Sequence, residues 1–127
     1  MRSMIGLAVG GLAVCTAISG SAQTTTASAK TTYLVVYRPG PAWLPGKPVG
    51  EQPLKDHGTY MLSLYVKGAL KFAGPFLDNA GGAVVLEADN EEGAKAFVAA
   101  DPAVTGQVFV AELHPWRMVD WEQYVKK

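Results

Sequence analysis

What restricts this chain most is the order in which its hydrophobic periodicity changes. Thr31–Tyr37 (TTYLVVY) is β-branched and aromatic and predicts a first strand. Leu54, His57, Met61, Leu64 and Gly68 then recur at spacings of three and four, which is one face of a helix over Leu54–Val66. Gly68 is placed to end it in the left-handed conformation. Ala69–Phe76 (ALKFAGPF) predicts a second strand that stops at Gly74-Pro75. After a turn over Leu77–Gly82, Ala83–Ala88 (AVVLEA) predicts a third. Asp89 or Asn90 caps a second helix. Asp89 and Glu92 have capping-box spacing, and Glu91 and Glu92 suit the positive end of the helix dipole. This helix presents Ala94, Phe97 and Val98 to the core, and Pro102 stops it. Gln107–Leu113 (QVFVAEL) predicts a fourth strand, bounded by His114-Pro115. Trp116–Lys127 is an amphipathic tail with a short helix over Val119–Tyr124.

The order β-α-β-β-α-β predicts an α+β, ferredoxin-like fold: a four-stranded antiparallel sheet with two helices on one face. Alternate strand residues on the other face are largely apolar, so a homodimer joined through that sheet face is expected. At about 25 cal/mol per Å2, covering several hundred Å2 outweighs leaving it in water.

The segment between the first strand and the first helix resists regular structure. Residues 38–53 hold Pro39, Pro41, Pro45, Pro48 and Pro53 among Gly40, Gly46 and Gly50. A loop this long in a small domain is usually functional. Its Trp43 and Leu44 can fold over something apolar.

The N-terminus has the order of a secretory signal: Arg2, an apolar run over Met4–Ile18, then Gly20-Ser21-Ala22. The run is shorter than the roughly 20 residues of a membrane span. Residues 1–22 are therefore expected to be a signal peptide and 23–30 a disordered leader. Residues 31–127 form one domain, exported to the periplasm or the medium with no stable membrane span after cleavage. Cys15, the only cysteine, lies in the apolar run, and bulky Val14 before it argues against lipoprotein acylation.

Composition narrows the function classes. Eleven basic residues balance eleven acidic ones with no basic stripe, so nucleic acid is not an expected partner. Two histidines, His57 and His114, without clustered carboxylates make no recognisable metal site. Gly81-Gly82 reads as a hairpin turn rather than a phosphate cradle, and Ser63 sits mid-helix without an elbow motif, so no cofactor is expected.

His57 is the sharpest candidate, since an imidazole on an apolar helix face needs a partner. With an unperturbed pKa near 6.5, a histidine can give or take a proton at neutral pH. A carboxylate on its other ring nitrogen would fix the tautomer, and Asp101 is available. The competing reading makes His57 a structural residue bonded to a loop carbonyl, and Asp101 an ordinary turn-former before Pro102. Gly58 beside His57 leaves room for a ligand. Gly74 and Pro75 form a strand-end turn whose Gly74 amide could face one, and Met61 and Trp43 are candidate walls. Asp56 falls on another face. His114 could join a site from a dimer partner.

Several of these features occur together in one family. They are the strand YLVVY, His57 in the first helix, Gly68 closing it, Gly74-Pro75, Gly82, Asp101-Pro102, and Trp116 after Pro115. In their order and spacing the chain resembles the YCII-related family, a branch of the dimeric α+β barrel proteins, over about Thr31 to Trp116. The resemblance implies a dimer with a cleft near the first helix and the Gly-Pro turn. It also implies an active site on the helix histidine and the aspartate of the Asp-Pro pair, here His57 and Asp101. Some relatives act as isomerases or dehydrochlorinases on ring-cleavage products or chlorinated hydroquinones. The signal segment and the proline-rich insert depart from the family pattern. Two functions stay open: an exported protein that binds a small organic molecule beside a His/Asp acid-base pair, and a non-catalytic ligand-binding or dimeric interaction module.

Overall fold

A computed structural model describes residues 28–126, together with the isolated positions Gly10, Gly11, Ala13 and Gly20. Apart from those four positions the expected signal peptide, with Cys15, lies outside the described residues, as does most of the leader. Strand β1 (Thr31–Pro39) is followed by helix α1 (Lys55–Val66), strands β2 (Leu70–Pro75) and β3 (Gly82–Ala88), and helix α2 (Glu91–Ala99). A one-turn helix α3 (Pro102–Thr105) and strand β4 (Phe109–Pro115) complete the domain. The sheet order is β2-β3-β1-β4, antiparallel throughout, with the helices on one face. This is the ferredoxin-like α+β architecture.

Alternation builds the core. Tyr33, Val35 and Tyr37 of β1 point to the helices together with Val84 and Leu86 of β3, all nearly inaccessible to solvent. Met61 and Leu64 of α1 and Ala94 of α2 close over them. Helix α1 ends in a Schellman motif: Gly68 sits at φ 78°, its N–H donates to Tyr65 O at 2.9 Å, and Ala69 N–H donates to Leu64 O at 2.9 Å. Asn90, rather than Asp89, caps α2 by accepting from Gly93 N–H at 2.8 Å.

Three local expectations change. Pro102 does not end α2, whose C-cap is already Ala100; it opens α3, with Asp101 as N-cap. Proline suits that first helical position, where its missing N–H costs nothing. Strand β4 starts at Phe109, because Gln107 takes a left-handed turn at φ 60°, and it runs through His114-Pro115 opposite Tyr33 and Leu34. In the tail a single 3-10 turn forms over Trp121–Tyr124.

The proline-rich segment is tied down at both ends. Gly40 and Ala42 donate to Val108 O and Gln107 O at 2.8 and 2.9 Å. A Cβ on Gly40 would collide with Gln107 O, so only glycine lets the chain pass there. Near the other end, buried Gln52 accepts from Leu44 N–H at 2.8 Å and donates to Leu44 O and Lys47 O, both at 2.9 Å. A 3-10 turn over Val49–Glu51 precedes it. One buried amide thus replaces regular structure as the organiser of the loop.

Candidate functional site

The buried carboxylate of Asp101 is the centre of the site. It is fully inaccessible, and burying such a group without partners would be prohibitive. Three donors satisfy it: Ala103 N–H to Oδ1 at 2.9 Å, Tyr37 O–H to Oδ2 at 2.9 Å, and His57 Nδ1–H to Oδ1 and Oδ2 at 2.8 and 2.9 Å. A carboxylate only accepts, so Nδ1 must carry the hydrogen. Each partner comes from a different element: α3, β1 and α1.

That arrangement fixes the imidazole. Nε2 has no partner among the described residues, and no buried side-chain nitrogen is left unsatisfied, so Nε2 is solvent-accessible. The ring stands edge-on to Tyr37 and to Phe109, each with centroids 5.4 Å apart. Only 16% of the side chain is exposed. Two tyrosines flank the carboxylate. Burial first, then the Asp101 charge and hydrogen bond, hold the Tyr37 hydroxyl far above its ordinary range. Burial and the same charge raise Tyr60, whose O–H donates to Phe97 O at 2.7 Å.

His57 faces a cleft of about 340 Å3. Its walls come from α1 (His57, Gly58, Met61), the β2 end (Ala73, Gly74, Pro75), the loop at Val49-Gly50, and Phe109 of β4. His57, Met61, Gly74 and Pro75 therefore share one cavity. Asp101 stands behind it, bonded to two residues of the wall, His57 and Tyr37. Trp43 does not line it; this ring packs on Phe109 at 5.7 Å and backs the wall. The Gly74 amide is not free for a ligand. Phe76 N–H pairs with Gly81 O at 2.8 Å, and antiparallel alternation makes Gly74 opposite Ala83 the next bonded pair. Asp56 is exposed, and His114 lies on β4 bonded to Glu112 at 2.8 Å, outside the cleft. Among the described residues no three His, Cys, Asp or Glu side chains converge as a metal site, and no helix is long and apolar enough to cross a membrane.

Sequence reasoning missed Tyr37, Gln52 and Phe109. An inward-facing tyrosine is a signal that could have been used, because a buried phenol needs a partner. Gln52 carries no such periodic signal.

The fold is similar to that of the 5-chloro-2-hydroxyhydroquinone dehydrochlorinase of Burkholderia phenoliruptrix, solved with 2,5-dihydroxybenzoquinone. The match has a TM-score of 0.50 and 21% identity over 68% of this chain and 93% of that one. A search of curated proteins finds no match. The YCII-related domain profile matches residues 31–117, from the first residue of β1 to just past the end of β4, and so takes in the whole sheet and every residue around the imidazole. That span is well over half the sequence, and the chain belongs to the YCII-related family.

Proposed function

We propose that this protein binds a small cyclic or unsaturated organic molecule in the cleft and moves a proton on it through His57. The observation that carries the reading is the His57–Asp101 pair. One ring nitrogen is held at 2.8 Å by a buried carboxylate and the other is free beside a 340 Å3 cavity. Asp101 is the positioning residue: it sets the tautomer and steadies the imidazolium that forms when Nε2 takes a proton. A proton removed from carbon next to a carbonyl or enol leaves an electron pair on the ring. That pair either expels a leaving group, as a lyase does, or is reprotonated at another carbon by Nε2–H, as an isomerase does. Membership of the YCII-related family and the likeness to a dehydrochlorinase agree with this chemistry.

The test uses His57→Asn, whose amide can still donate to Asp101 but has no basic nitrogen. Small phenols, quinones and lactones are screened by thermal shift, and hits are incubated in D2O. Ligands should raise the wild-type Tm and exchange deuterium at carbon only when His57 is present. Exchange that survives His57→Asn would refute the proton-transfer role. One observation favours a non-catalytic binding module instead: among the described residues, Nε2 is the only uncommitted side-chain acid or base on the cavity wall. A thermal shift without deuterium exchange would select that reading.

Two further parts of the proposal concern setting. The domain pairs with a second copy through the sheet face opposite the helices, where Leu34, Val36 and Val85 are half-buried and Phe72 and Val110 are exposed. The protein is exported by its N-terminal segment, supported by the Arg2, apolar run and Gly20-Ser21-Ala22 order. Mass spectrometry of the secreted form should find a chain beginning at Gln23.

A further inference from the structure

We propose that the cleft selects uncharged planar ring compounds bearing one hydroxyl or enol and rejects carboxylated ones; this rests on the ligand-binding reading above. Among the described residues, only His57 and Tyr37 bring polar side chains to the cavity wall. The Tyr37 hydroxyl is spent on Asp101 at 2.9 Å, which leaves Nε2 as the one polar side-chain atom available to a ligand.

Among the described residues no lysine or arginine lines the cavity. Lys47, the lysine of the framing loop, is paired with Glu51 at 3.0 Å. The His57–Asp101 pair carries one negative charge with the imidazole neutral, and protonating the ring only brings the pair to zero. A carboxylate entering this cleft would lose water and meet no countercharge, which is a severe penalty for an ion and a small one for a phenol.

Shape points the same way. Gly50, Gly58 and Gly74 put bare backbone on the wall, and a Cβ built on any of them would meet nothing within 4 Å. Met61 and Phe109 supply apolar surface for a ring. The volume, 340 Å3, is about twice that of an engineered cavity of roughly 150 Å3 that holds benzene, room for one substituted ring.

The test compares para-cresol with para-hydroxybenzoate, which differ by a methyl group against a carboxylate. Both are titrated calorimetrically into the full protein at neutral pH, and into His57→Asn and Val49→Lys. Para-cresol should bind the wild type at least about fivefold more tightly. Val49→Lys, which brings an ammonium to the wall, should shift the ratio toward para-hydroxybenzoate. A smaller or reversed wild-type preference overturns the selectivity. If both bind equally and both are weakened in His57→Asn, selectivity alone fails and the cleft-binding reading stands. If neither binds, both fail.

Discussion

Asp101 does two jobs with one carboxylate. It caps α3 through Ala103 N–H and anchors the imidazole of His57. Asp101→Ala would strand three buried or half-buried donors, so chemical denaturation should show a loss of about 3–5 kcal/mol. Tyr37 gives a pH signature. Burial and the Asp101 charge raise its folded pKa far above the ordinary phenol value of about 10, so above pH ~10 the unfolded chain releases a proton that the native state keeps. Stability from this group is complete below that pH and falls above it. Urea midpoints between pH 9 and 11 should therefore drop more steeply for wild type than for Tyr37→Phe. At neutral pH the phenylalanine variant should be weaker by about 1–3 kcal/mol, for the lost bond to a charged acceptor. At this scale His57 was conspicuous in the sequence because a polar ring interrupted an apolar helix face. Tyr37 was not, because strand alternation reveals which way a side chain points but not what its hydroxyl meets.

Helix α1 carries an inexpensive vacancy at Gly58. It is exposed on the cleft side, and a Cβ there would touch nothing within 4 Å. Gly58→Ala should raise stability by up to ~1 kcal/mol while narrowing the cavity, so Tm should rise as ligand affinity falls. The loop before α1 gives the opposite case. Gln52→Ala removes three bonds to loop backbone, and hydrogen exchange over residues 40–53 should accelerate more than in the sheet. Periodicity located both main helices and all four strands. It failed where chain reversal depended on one residue's second role: Pro102 looked like a stop signal, yet with Asp101 capping ahead of it the same proline starts α3. The loop's order was illegible for a related reason, since proline and glycine announce only that ladders are absent.

For the whole molecule, the sheet has two unequal faces. One is sealed by helices; the other shows Leu34, Val36 and Val85 at its centre with Phe72 68% and Val110 55% exposed toward its margins. Sedimentation should give a dimer, and Val36→Asp should yield monomers that retain the His57–Asp101 bond. A monomeric wild type at micromolar concentration would remove the pairing proposal. Only the centre of the open face was legible, because β1 and β3 set Leu34, Val36 and Val85 between inward apolar residues, whereas β4 turns Glu112 and His114 to the same side. The cleft was legible in part, at His57, Met61, Gly74 and Pro75; Tyr37 and Phe109 were not, because only the folded sheet brings those strand positions to the wall.

The junction between α2 and α3 links upkeep of the domain to the orientation of the His57 ring. Because a single side chain caps the start of α3 and holds the imidazole of His57, a fluctuation that frays this corner also releases that ring. If the proposed proton transfer holds, its loss on heating should coincide with local melting at this corner.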